Sequence, residues 1–521
     1  MSSFPDHLHA LLYPRAYPHP VRAVDLIETH ISWVLLTGSF AYKIKRPVRY
    51  AFVDLRSAEQ RRVLCHEELR LNRRFAAELY LDVRAIRHHR GEARIGGSGR
   101  IIEHAVRMRQ FPRSQELAAL LQARRIEPAE LAAFGGELAQ LHASLPVARA
   151  GQGRGEPPAQ IAVIKHNAAE CLRAAALLGD IEPARALQTS LGAWADAASP
   201  LLARRLAARR VRECHGDLHA GNIVRRGTRL LPFDCLEFDP ALRWIDVADE
   251  VSFLLADLDA RQRPLHGHAF LAGYLTASGD YQACLLMPLF RAHRALVRAK
   301  VTALTAAAQD TARAAARQAR RAFGRYLECA QRALAPQRPA LVLMSGVSGS
   351  GKTWLAQRLA PPLGAIHLRS DIERKRLAGL PAASRSGSAL AQGIYARDMT
   401  VAVYDRLADC AADTLAGGFT TIVDATFARA EDRVRFGALA ASLAVYLCIV
   451  YCHAPQRILA KRISERGRRG KDPSEANIDV LRWQEAHFVP PASQEAPLVL
   501  DAAELSPPEL VRRIAAAAAR G

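Results

Sequence analysis

The chain has 521 residues, 50% of them hydrophobic and 24% charged, a balance that buries a core and excludes wholesale disorder. The formal net charge of +21 invites a polyanion partner, yet of 72 basic residues only eight are Lys and 64 are Arg. That is the bias of a GC-rich coding sequence, so the charge alone does not mark a nucleic-acid-binding protein.

Nine Cys, at 65, 171, 214, 235, 284, 329, 410, 448 and 452, form no CxxC pair. With no basic-then-apolar pattern at the N-terminus, free thiols in a cytoplasmic protein are expected, without a thiolate zinc site. In chain order, WVLLTGSFAYKIKRPV (33–48) predicts an apolar strand, a Gly turn and an alternating strand, and SAEQRRVLCHEELRLNRRFAAEL (57–79) a helix. YLDVRAIRHH (80–89) and RIIEHAVRMRQF (100–111) predict strands separated by GEARIGGSG (91–99). ARAGQGRGEPPAQ (148–160) reads as a loop. From Ser114 to Leu334 most segments read as helix. The exception is VRECHGDLHAGNIVRRGTRLLPFDCLEF (211–238), which alternates strand, polar loop, strand, turn and strand.

APQRPA (335–340) marks a domain boundary. Beyond it the order strand, Gly-rich loop, helix, strand, helix predicts an α/β domain with a parallel sheet. The expected organisation is multidomain: residues 1–335, with a β-rich small lobe to about 112 and a helical large lobe over 113–335, then 336–521. The uncharged stretch Phe436 to Gln456 is long enough to cross a membrane. Its AVYLCIVYC centre and its closing His453 and Pro455 instead predict a short helix and a buried parallel strand, so no membrane partner is expected.

Residues 346–353, GVSGSGKT, satisfy G-x-x-x-x-G-K-[ST] between a predicted strand and a predicted helix. In this spacing Gly346, Val347, Ser348, Gly349, Ser350 and Gly351 turn backbone N–H groups toward phosphate. Lys352 reaches the β- and γ-phosphates of ATP, and Thr353 offers a hydroxyl to Mg²⁺. Asp371 ends a second strand with Arg374 one turn on, and is a candidate base for an acceptor hydroxyl or a helix cap. Asp424 ends a third strand, placed to hold Mg²⁺ or orient the acceptor. The Arg-rich run PQRILAKRISERGRRGKDPSE offers Arg462, Arg466 or Arg469 as a lid cation on transferring phosphate, with Arg466 the candidate catalytic residue, or else a solvated basic face. This part resembles the small P-loop kinases, a group of polynucleotide 5′-hydroxyl kinases, zeta toxins, chloramphenicol phosphotransferases and gluconate kinases. The resemblance implies transfer of the ATP γ-phosphate to a hydroxyl.

Residues 215–222, HGDLHAGN, put one carboxylate and one amide in a single loop. Asp217 can accept a hydroxyl proton, Asn222 can hold Mg²⁺, and Asp234 ends the next strand and can chelate the same metal. The motif closely resembles the catalytic loop of aminoglycoside phosphotransferases, which share the two-lobed protein-kinase (α+β) fold. That resemblance implies Asp217 as base, Asn222 and Asp234 as metal ligands, and His215 as loop support. It also implies that Lys43 or Lys45, which face one side of a strand, pairs the α/β-phosphates. A Glu would hold that Lys, with Glu68 favoured over Glu67 and Glu59. The segment EHAVRMRQFP (103–112), with Met108, would contact adenine as a hinge strand.

The tandem order resembles a bacterial family of bifunctional aminoglycoside phosphotransferase-like and P-loop ATP-binding proteins, over nearly the whole chain. It implies two ATP- and Mg²⁺-dependent phosphotransfer sites acting on small hydroxyl acceptors. One alternative makes the first part a nucleotide-sensing module for the second. Another makes the second a nucleic-acid 5′-hydroxyl kinase, which 24 basic against 18 acidic residues from Arg338 onward and no aromatic-studded basic stretch disfavour. An acidic pocket for a cationic aminoglycoside would draw on Glu237, Asp239, Asp246, Asp249 and Glu250, of which Asp246 and Glu250 read equally as surface or helix-packing groups.

Overall fold

The computed structural model describes residues 4–518 apart from 51–52, 180, 308–312, 383, 385, 387–392, 470–473 and 502–506. The chain divides into two compact units, one of residues 1–130, 141–257 and 294–323, the other of residues 131–140, 258–293 and 324–521.

The first unit begins with a six-stranded antiparallel sheet, in the order Asp25–Glu28, Ser32–Leu36, Phe40–Lys45, Arg100–Arg109, Tyr80–His89, Glu92–Ile95. The strand Glu92–Ile95 lies within the segment expected to be only a separator, where it pairs with Ile86–His89. The edge strand Asp25–Glu28 had no alternating apolar pattern and was invisible to periodicity. Alternation along Phe40–Lys45 decides the chemistry. Tyr42 and Ile44 enter one apolar cluster with Trp33 and Leu35. Ala41 enters another, with Cys65 of the helix Ala58–Ala76. Lys43 and Lys45 therefore share the helix-facing side with Ala41.

The rest of this unit is mostly helical, with a helix opening at Pro157, inside the stretch expected to be loop. Two short antiparallel strand pairs interrupt it: Val211–Glu213 with Trp244–Asp246, and the hairpin Ile223–Arg226 with Arg229–Pro232. They frame the HGDLHAGN loop and deliver Asp234. This two-lobed α+β arrangement is the kinase-like plan expected.

The second unit holds a five-stranded parallel sheet, ordered Ile366–Arg369, Thr421–Asp424, Ala340–Ser345, Tyr446–His453, Leu498–Asp501. All six residues of the central strand are buried, as a strand covered on both faces requires. The sheet order reverses beside this strand, which opens a crevice at its carboxyl end. The uncharged stretch resolves into the helix Ala430–Ser442 and the strand Tyr446–His453. Among the described residues no helix is long and apolar enough to cross a membrane. All nine cysteines are buried free thiols.

Candidate active sites

In the first unit, five charged groups from distant parts of the chain meet between the lobes. Lys43 Nζ donates to Glu68 Oε1 at 2.9 Å and also pairs with Asp234. Lys45, with no exposed surface, lies 2.5 Å from Glu68 Oε2 and pairs with Glu237. Burial opposes the charge on Lys43, but Asp234 and Glu68 hold its ammonium well above the usual range. Burial likewise opposes Asp234, and Lys43 holds that carboxyl down. Glu68 is the glutamate that serves both lysines. Glu59 pairs instead with Arg62, and Glu67 with Arg70 and Arg243. Asp234 carries a left-handed backbone, φ 65°, a conformation Asp tolerates better than most residues and which concentrates at functional sites. Met108 packs in the apolar cluster with Ala41, Val224 and Leu231.

The loop bearing Asp217 is fastened from the helix Val247–Ala260. Glu250 accepts the His215 N–H at 2.7 Å and the Gly216 N–H at 3.0 Å, and Asp257 accepts the Ala220 N–H at 2.9 Å. Asn222 Nδ2 donates to Asp217 Oδ2 at 2.9 Å and to the Asp217 carbonyl at 3.0 Å. The His215 ring lies between backbone groups: its Nε2 is 2.9 Å from the Phe233 carbonyl, its Nδ1 accepts the Asp217 N–H at 3.3 Å, and burial pushes the imidazole down to about 4. It supports the loop as a neutral ring. Burial would raise the Asp217 carboxyl, but His219 and Arg298 outweigh it and hold Asp217 ionised far below the usual range. An ionised, hydrogen-bonded carboxylate in a fastened loop can take a proton from an attacking hydroxyl.

The five acidic residues that a cation pocket would draw on are engaged within the chain. Glu237 pairs with Lys45, Asp239 caps Ala241, and Asp246 grips Arg205 at 2.6 and 2.8 Å. Asp249 grips Arg294 at 2.7 and 2.8 Å, and Glu250 holds the loop. Each carboxylate has an intramolecular partner, so these five do not form a free surface for a cation.

In the second unit the phosphate loop leaves the central strand and enters the helix Lys352–Leu363. Gly346 has φ 139°, and a Cβ there would stand 2.2 Å from the Cys452 carbonyl; Gly349 has φ 84°, and a Cβ would stand 2.9 Å from the Leu459 carbonyl. Neither position accepts a side chain without moving backbone. Lys352 Nζ donates to the Val347 carbonyl at 2.9 Å, folded over its own loop. Asp424 hydrogen-bonds Thr353 and lies 3.2 Å from His367 Nε2. Burial would raise Asp424, but His367 and Lys352 hold it down. Asp371 stands in the first turn of the helix Ser370–Leu377. Arg374 donates to the Ile394 carbonyl at 2.9 Å and to Thr400 at 3.2 Å, contacts that brace the segment Gly393–Tyr395. Arg462 donates to the Gly349 carbonyl at 3.3 Å, while the side chains of Arg466 and Arg469 lie outside the described residues.

Asn222, Asp234, Thr353 and Asp424 are all oxygen donors, and both carboxylates are held ionised. Such a set fits a hard divalent cation such as Mg²⁺. Sequence reasoning missed His367, Asp257 and Gln484, whose Oε1 accepts the Ser348 N–H at 2.7 Å, and offered Glu250 only as a pocket acid rather than as the anchor of the HGDLHAGN loop. Nothing in their local patterns distinguishes them from ordinary surface or core residues.

Residues 341–491 match a family model described as an AAA domain. Over 473 residues the chain is 32% identical to the uncharacterized protein Rv2004c of Mycobacterium tuberculosis, covering 90% of this chain and 92% of that one. The chain belongs to the same family as Rv2004c. This family member is also similar to a putative kinase from Chloroflexus aurantiacus, at 22% identity over 35% of this chain and 99% of that one, TM-score 0.29. A further similarity is to amicoumacin kinase hAmiN, solved with AMP-PNP, Ca²⁺ and Ami, at 14% identity over 63% of this chain and 93% of that one, TM-score 0.35.

Proposed function

We propose that the chain is a tandem ATP- and Mg²⁺-dependent phosphotransferase, divided functionally near residue 335 and working in the cytoplasm. It belongs in this reading with the bifunctional aminoglycoside phosphotransferase-like and P-loop proteins. Each part moves the γ-phosphoryl group of ATP to an alcohol of a small molecule. The observation that carries the reading is the meeting of Lys43, Glu68 and Asp234, 191 residues apart at the widest, beside an ionised Asp217. Buried charge is costly unless it is paired, and perturbed carboxylates gather where chemistry is done.

In the first unit Asp217 takes the acceptor's hydroxyl proton, the freed oxygen bonds to the γ-phosphorus, and the bond to ADP breaks. Lys43, steadied by Glu68, lies on the α/β-phosphates, with Met108 on the hinge strand near adenine. In the second unit Asp371 serves as base, Lys352 holds the outer phosphates, Arg374 braces the segment beside them, and Arg466 is the lid cation on the transferring phosphate. Magnesium would be held by Asn222 and Asp234 in one site and by Thr353 and Asp424 in the other, neutralising phosphate charge when bound.

The test is ATP consumption by the full chain against a panel of hydroxyl metabolites. Asp217→Ala should cost ~10²–10⁴ in one activity, and Lys352→Ala roughly 10²–10³ in another. Loss of all turnover from either substitution rejects the two-site reading.

A further inference from the structure

The Ser348 N–H, one of the backbone groups of the phosphate loop, donates to Gln484 Oε1 at 2.7 Å. Gln484 lies on the helix Ile478–His487. One turn before it on the same face, Leu481 is buried with Leu459 and Ile463 in a cluster against which Val347 and Ile478 pack. Val347 precedes Ser348 in the loop. The helix is thus fixed to the loop's tip by an apolar contact and a polar one, three residues apart on one helix face.

A backbone N–H has a single proton to give. A phosphate oxygen arriving at Ser348 competes with the Gln484 carbonyl for it, and two oxygen acceptors cannot share one close donor without repulsion. The anion is the stronger acceptor. The apolar cluster that holds Leu481 and against which Val347 packs keeps Gln484 within reach after its carbonyl is displaced. Rotation about the last side-chain bond then presents Nε2–H, a donor, where Oε1 had been. The inner phosphates belong to the helix end of the loop, where the N–H groups of the first turn converge. The tip is left for the outermost phosphate.

We propose that Gln484 reads the terminal phosphate of a nucleoside triphosphate, exchanging its bond from Ser348 for one donated to a terminal phosphoryl oxygen. The inference rests on the reading of residues 346–353 as a nucleotide site. It makes Gln484 the residue by which this unit tells triphosphate from diphosphate.

Binding of Mg²⁺·ADP and of Mg²⁺·AMP-PNP to the full-length protein tests this by calorimetry, counting only the binding that Lys352→Ala removes. Gln484→Glu sets a carboxylate against the phosphoryl oxygen. It should weaken AMP-PNP about tenfold or more while leaving ADP within about twofold. Gln484→Ala removes the donor without adding charge and should weaken AMP-PNP by roughly three- to tenfold, again sparing ADP. Equal losses for both nucleotides, or no loss in either variant, overturn the proposal and leave Gln484 a packing residue. Absence of any Lys352-dependent binding in the unsubstituted protein overturns the nucleotide reading itself, and this proposal with it.

Discussion

Lys45 shows how a residue's neighbours settle its role. Facing the same side of the strand as Lys43, it was an equal candidate for the nucleotide. Its ammonium is enclosed between Glu68 and Glu237, and it is Lys43 that also reaches Asp234. A buried pair adds little over an apolar pair of the same volume, but a half-broken one leaves an uncompensated charge. Lys45→Met should therefore destabilise the first unit by about 3–5 kcal/mol. Lys45→Met with Glu237→Leu should recover much of that loss, as measured by denaturant unfolding. A double variant no more stable than the single one would mean that Lys45 holds more than its partner carboxylates.

Elements meet closely in the second unit at two glycines. The helices Pro128–Ser144 and Pro264–Ser278 contain Gly135 and Gly273. A Cβ on Gly273 would lie 2.0 Å from the Ala132 carbonyl, and one on Gly135 2.2 Å from the Phe270 carbonyl. The obstacle is rigid backbone on each side, so the helices must separate to admit a methyl group. Gly273→Ala should cost about 1–3 kcal/mol, read as a lower urea midpoint for the second unit. Neither glycine stood out in the sequence, because small residues in a helical pattern do not announce what they approach. The helix Ala58–Ala76 was legible for the opposite reason: its apolar positions recur with the helical period, and its Ser57 cap side chain accepts the Gln60 N–H at 3.5 Å.

At the level of the whole molecule, the two candidate sites draw on separate compact units, and ligand stabilisation should be equally separable. Saturating Mg²⁺·AMP-PNP, at about 100 times its dissociation constant, adds roughly 2.7 kcal/mol to the unit that binds it. In calorimetry of the full chain, Lys352→Ala should abolish this gain for the second unit alone, and Asp234→Asn for the first alone. A gain lost in both units from either substitution would show that one nucleotide stabilises both.

GVSGSGKT and HGDLHAGN each place their chemistry within eight consecutive residues, and their order along the chain, with the strand and helix patterns around them, was enough to locate two candidate sites. Local spacing carries that information because loop geometry and helix entry depend on neighbours in sequence. The pairing of Lys43 with Asp234, the engagement of all five acidic candidates, the fastening of the HGDLHAGN loop by Glu250 and Asp257, and the presence of His367 and Gln484 were decided by the tertiary structure. Apart from the local Asp239 cap, those interactions join residues from 34 to 192 positions apart. Which charge meets which across such distances depends on how the elements pack, and one sequence read along its length carries no measure of that.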